Sequence, residues 1–188
     1  KSNDSRVFVT DAIIMAKRAV NLAGQDGLSF TLARELRLTI HGTLGFAALT
    51  SPTFADALDS VRRYLHLRVP FLSMSQSEAG DQVLVKLCTE FEVPGLYPFL
   101  AETVSATLIL LTEQLLDRED AAKHGFALED GKLPGVTVRL SAPEPPWYQR
   151  FADQLPVRFE YGQADEMMVF PRELLDVRMR LADAEASR

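Results

Sequence analysis

The chain has 188 residues, 47% of them hydrophobic and 24% charged, enough for one self-supporting core without disulfide or metal staples. With 26 acidic and 20 basic residues the net charge is −6, which repels a polyanion and argues against this stretch alone as a nucleic-acid-binding surface. A single cysteine, Cys88, excludes an internal disulfide and points to a reducing, cytoplasmic setting; the charge-free run at 103–112 is far shorter than the roughly 20 residues that span a bilayer.

Residues 1–10 are polar and carry no signal-peptide core. Thr10 can cap a first helix with Asp11 in its first turn, carrying Ile13, Ala16, Lys17 and Val20 at helical spacing and ending at Gly24. A second helix is predicted over 29–38, with Leu32, Leu36 and Ile40 as its apolar row. In the run that follows, Gly42 and Gly45 stand three apart among apolar residues, which implies close backbone packing or a kinked helix. No Lys-Ser/Thr pair follows, so a phosphate loop is not indicated. The next helix has two possible starts: Ser51 as cap with Pro52 at the first position, or Thr53 as cap with Asp56 three residues on. Phe54, Leu58, Val61 and Leu65 then line one face.

Residues 71–76 and 82–90 read as the arms of a β-hairpin turning at 78–81. Val83, Val85, Leu87 and Thr89 share one face, with Leu84, Lys86, Cys88 and Glu90 on the other; a half-solvated face implies an antiparallel sheet. After the Pro94–Pro98 break, a long helix is predicted from about 98 to 117, its stripe made by Leu100, Val104, Leu108, Leu111 and Leu115. Residues 119–134 read as loop and 136–140 as a short strand. The prolines at 143, 145 and 146 cannot continue a ladder, and 147–151 suggests a short helix. Val157, Phe159 and Tyr161 alternate as a strand that turns at 162–165 and returns at 166–170. Residues 173–180 suggest a closing helical turn, and 182–188 a polar tail. The sum is an α+β fold: an antiparallel sheet with helices packed on it and one long apolar central helix.

Catalytic signals are poor. His41, His66 and His124 stand apart, without HxH or HExxH spacing, no GxSxG elbow surrounds any serine, and neither a metal nor a cofactor site is indicated. An enzyme using His41 as base would need a carboxylate beside it in a deep polar pocket. Binding signals are better: aromatic and aliphatic residues are dense enough to line an apolar pocket. Phe46, Phe71, Tyr97 and Trp147 are the candidate lining residues, with Arg37, His41 and Arg68 as candidates for orienting an acid.

The run from Gly42 to Leu58, including Leu44-Gly45-Phe46-Ala47 and Thr50-Ser51-Pro52-Thr53, resembles the "LG-x-aromatic-A … TSPT-x-x-(D/E)-AL" signature of the arabinose-binding-type regulatory domain of AraC/XylS regulators. Arg63-Tyr64-Leu65, Val69-Pro70, Pro156-Val157-Arg158-Phe159 and the segment from Phe170 to Leu175 continue the likeness in order and spacing, so that it covers about 28–177. This resemblance implies an effector-binding and dimerisation domain over 1–177, with 178–188 beginning a linker to a helix-turn-helix DNA-binding domain outside this sequence. It implies a bacterial ligand sensor, no enzyme, acting on DNA only through that other domain and with no membrane association. A small organic effector, an acid or apolar acid, is the expected ligand. A homodimer is expected through a helix, with Val104, Leu108, Leu111 and Leu115 as the interface candidates. The competing reading is a stand-alone oligomerisation or partner-recruiting module with no small ligand.

Overall fold

The computed structural model describes residues 9–24, 26–36, 40, 42–67, 69–90, 93, 95–126 and 131–182. Four helices come first: α1 (Val9–Ala23), α2 (Leu28–Glu35), α3 (Gly42–Leu49) and α4 (Phe54–Tyr64). The hairpin strands β1 (Leu72–Ala79) and β2 (Gln82–Thr89) follow, then α5 (Tyr97–Leu115) and α6 (Arg118–Lys123). The chain continues through β3 (Thr137–Arg139), α7 (Gln149–Ala152), β4 (Arg158–Glu160) and β5 (Met167–Pro171), and closes on a 3₁₀ turn at Arg172–Asp176. The fold is α+β, built on one five-stranded sheet in the order β1-β2-β5-β3-β4.

Of the two possible starts for α4, the chain uses Thr53. Its hydroxyl accepts from Asp56 N at 3.3 Å while the Thr53 amide donates to Asp56 Oδ2 at 3.2 Å, the reciprocal pair of a capping box. Thr53→Ala removes the hydroxyl half and is expected to lower stability by about 1 kcal/mol, read as the urea midpoint. An unchanged midpoint would mean that the cap is redundant.

Four expectations change. The sheet is mixed rather than antiparallel, because β3 runs parallel to β4, with Val138 opposite Phe159. The expected hairpin between 157–161 and 166–170 does not pair with itself: β3 lies between β4 and β5 and bonds to both. Parallel neighbours require a crossover, and the proline-rich stretch with α7 supplies it between β3 and β4. The turn after β4 bonds back to the end of β3 instead, Gln163 N to Leu140 O at 2.9 Å. In α2, Leu32 and Ile40 are 38% and 50% exposed, and the buried face is Ser29, Phe30 and Ala33. The helix stops at Glu35, so Ile40 does not continue its row. Finally, the stretch expected as loop from 119 contains α6, started by Asp117, whose side chain accepts from Asp120 N at 2.9 Å.

Both halves of the chain close one core. Val83, Val85 and Leu87 of β2 are buried on one face, whereas Met168, Val169 and Phe170 of β5, between β2 and β3, are all buried, so both faces are covered there. Helix α5 packs on α2. Phe30 of α2 reaches the other end of the chain, its ring 5.2 Å from Phe159 and 5.7 Å from both Trp147 and Phe151. Gly27, just before α2, sits at φ +78°, and a Cβ there would stand 2.2 Å from the Phe151 ring. Only glycine meets both conditions, which lets the α2 start lie against the aromatic cluster.

Candidate functional site

Helices α3, α4 and α5 line, over the β5 side of the sheet, a partly open cavity of ≈ 160 Å³. Its construction follows from the residues of each wall. From α5 come Val104, Leu108, Leu111 and Leu115, the stripe expected to meet a partner subunit; in the structure these side chains line the cavity. Small residues opposite them leave the space open: Gly45 and Ala48 on α3 and Ala57 on α4. Met168 and Phe170 form the sheet side. Three threonines of α5 also border it, but their hydroxyls are committed: Thr103 donates to Phe99 O at 2.7 Å, Thr107 to Thr103 O at 2.8 Å and Thr112 to Leu108 O at 2.8 Å. Their methyl groups and the aliphatic walls make a site that rewards apolar contact and leaves a buried polar group without a partner. An apolar cavity of about 150 Å³ is known to stay dry and to take up benzene or xenon, so this one has room for a ring-sized or short aliphatic group.

The candidates named from the sequence fall elsewhere or out of view. Phe46 is on α3 but 66% exposed, and Phe71 is buried in the core beside β1. Trp147 packs edge-on against Phe30 and Phe151. Tyr97 starts α5 and donates to Glu166 Oε2 at 3.2 Å. None of these four lines the cavity. Arg37, His41 and Arg68 lie outside the described residues. The cavity wall was legible in part: Phe54, Leu58, Val61 and Leu65 are the predicted apolar face of α4, and all four border it.

Two carboxylates are buried away from the cavity. Glu102 of α5 is 6% exposed and accepts hydrogen bonds from Ser29 of α2 and from Tyr161 OH, the latter at 2.5 Å, so it ties α2 and α5 to the end of β4. Burial raises its pKa, and the two hydroxyl donors only partly offset this. Burial and the neighbouring Glu102 charge likewise push the Tyr161 hydroxyl far above the ordinary range. Glu166 accepts from the Ser141 hydroxyl and amide as well as from Tyr97. Because the folded pKa of Glu102 is raised, its contribution to stability is full below the ordinary value of 4.5 and is lost as pH rises through the elevated value. Glu102→Gln stays neutral at every pH, its amide oxygen accepting from one of the two hydroxyls and its NH2 donating to the other. Its unfolding free energy, measured against urea across pH, is therefore expected to lose that decline. Parallel pH profiles for the two proteins would contradict it.

A second, polar cleft of ≈ 540 Å³ lies near α7 and β4, bordered by Tyr148, Arg158, Glu160 and Tyr161. Glu160 is already neutralised by Arg139 at 3.7 Å and Arg158 at 4.0 Å, and the Tyr148 hydroxyl accepts from Phe159 N at 3.0 Å. Among the described residues no group of three or more His, Cys, Asp or Glu is placed to hold a metal ion, and no helix is long and apolar enough to cross a membrane.

An apolar cavity walled by helices over a mixed sheet is the architecture of a small-molecule-binding domain. Residues 1–179 match the family described as the arabinose-binding domain of AraC transcription regulators, N-terminal, and the chain belongs to this family. It is 27% identical over 184 residues to the ornithine utilization regulator of Pseudomonas aeruginosa, a match covering 97% of this chain and 50% of that protein. The chain thus spans about half the length of the curated relative it matches. Its fold is similar to that of the transcriptional regulator CdpR from Pseudomonas aeruginosa, with a TM-score of 0.67 at 16% sequence identity, over 97% of this chain and 61% of that one. The relatives are transcription regulators, and a ligand-sensing regulatory role follows from the family.

Proposed function

We propose that this chain is the effector-sensing domain of a cytoplasmic AraC-type regulator and that the effector occupies the cavity between α3, α4 and α5. The single observation that carries this reading is a partly open, apolar, ring-sized pocket in a domain whose family regulates transcription. The family description names arabinose, and one relative's name refers to ornithine. Neither compound suits these walls: a sugar needs several hydrogen-bond partners and ornithine needs charged ones, whereas the lining is almost wholly apolar and the threonine hydroxyl protons are already donated to their own helix. The effector is instead an organic molecule with an apolar body, such as an aromatic or short-chain acid. Arg37 and His41 follow the lining residue Leu36 in sequence, and Arg68 precedes the lining residue Val69; these three residues are the proposed partners of the effector's carboxylate.

Binding shifts the domain between two arrangements and so changes how a C-terminal DNA-binding domain is presented. Homodimerisation belongs to the same proposal and is tested by sedimentation of this chain. The competing module without a small ligand has no use for the cavity. A thermal-shift panel of aromatic and aliphatic acids, with arabinose and ornithine as comparisons, tests the effector class. Dose-dependent stabilisation by the apolar acids, weakened by Arg37→Ala or His41→Ala, is the expected result. Stabilisation by arabinose or ornithine alone would reverse the assignment.

A further inference from the structure

The segment Val177 to Arg180 is stitched between the two ends of the cavity's helical wall. Phe54 N donates to Val177 O at 2.8 Å, and Met179 N donates to Pro52 O at 3.2 Å; both partners lie at the start of α4. On the other side Asp117 N donates to Arg178 O at 2.9 Å and Arg180 N to Leu115 O at 2.7 Å, at the end of α5. Arg178 N also donates to Asp120 Oδ2 of α6 at 2.9 Å. In the middle of this clamp the Met179 side chain, 3% exposed, forms part of the cavity wall. Met179 therefore both touches the space and belongs to the clamped segment.

We infer that Met179 is a ligand-contacting residue that couples cavity occupancy to the Val177 to Arg180 clamp, so that this segment carries the effector signal out of the domain. The inference rests on the cavity being the effector site. Its physical content is linkage. Opening the clamp withdraws Met179 from the wall and costs a bound ligand that contact, so an occupied cavity favours the closed clamp. A flexible thioether is suited to follow the shape of the occupant.

The test is hydrogen exchange of individual amides with benzene as the probe, which matches the cavity in size. At about ten times its dissociation constant, benzene is expected to slow exchange at Met179 and Arg180 about tenfold. Gly162 and Gln163, whose amides bond to Ala142 and Leu140 in a turn away from the cavity, should exchange unchanged. Benzene binding, seen as a raised Tm, with unchanged exchange at Met179 and Arg180 overturns the coupling and leaves the cavity reading standing. No rise in Tm at any benzene concentration overturns both. In Met179→Ala, benzene should still raise Tm, but slowing at Arg180 should fall below about twofold. Undiminished slowing in that variant overturns the role of the side chain. The wild-type measurement decides the coupling even if the variant does not fold.

Discussion

Phe30→Ala is expected to destabilise the domain by about 3–5 kcal/mol, a large part of the roughly 5–15 kcal/mol that holds a domain of this size together. Phe30 is fully buried and joins four rings, those of Trp147, Tyr148, Phe151 and Phe159. Its removal takes away the transfer free energy of the ring and the edge-to-face contacts with Trp147 and Phe159. The partners cannot close over the gap easily, because Phe151 is already held against Gly27 and Tyr148 is fixed by its bond from the Phe159 amide. Equilibrium urea unfolding measures the loss. A change below about 1.5 kcal/mol, the range of a well-tolerated apolar swap, would show that α2 is peripheral to the core.

Val104→Phe is expected to abolish effector binding, with at least a tenfold rise in Kd for any ligand identified by the thermal-shift panel. Val104 is half-buried on the cavity face of α5, so a ring at this position projects into the open space instead of into packed atoms. For that reason the usual overpacking cost of about 1–3 kcal/mol should be reduced, and the ligand-free variant should melt near or above the wild-type temperature. The combination matters: binding lost while folding is kept locates the site. Unchanged affinity in a folded Val104→Phe protein would move the effector elsewhere, with the polar cleft at Tyr148 and Arg158 as the next place to search.

Local signals specify several elements of the chain outright. The α4 helix is specified by Thr53, Asp56 and the spacing of Phe54, Leu58, Val61 and Leu65. The β1–β2 hairpin follows from strict alternation and from Gly80 at φ +63° in a two-residue turn. Family membership was also legible, since its motifs are contiguous stretches of residues, and the match over 1–179 agrees.

What failed was decided across the chain. Leu32 and Ile40 satisfied the spacing of an apolar face, yet α2 turns Phe30 and Ala33 inward, because it must meet α5 and rings more than a hundred residues away. The strand at 158–160 pairs with β3 and not with its sequence neighbour β5, since strand order depends on which edges remain open, and no local pattern records that. The α5 stripe poses a different question. Periodicity determines that Val104, Leu108, Leu111 and Leu115 share a face. Whether that face meets a partner, a packed core or a cavity depends on the size of the residues opposite. Here Gly45, Ala48 and Ala57 leave space, and only tertiary packing brings them within reach of the leucines. The sequence by itself therefore determined the composition of each element and the family, through local spacing and capping. Tertiary packing sets the cavity and the place of Met179 in its wall, because an empty space is a property of distant surfaces that do not quite meet.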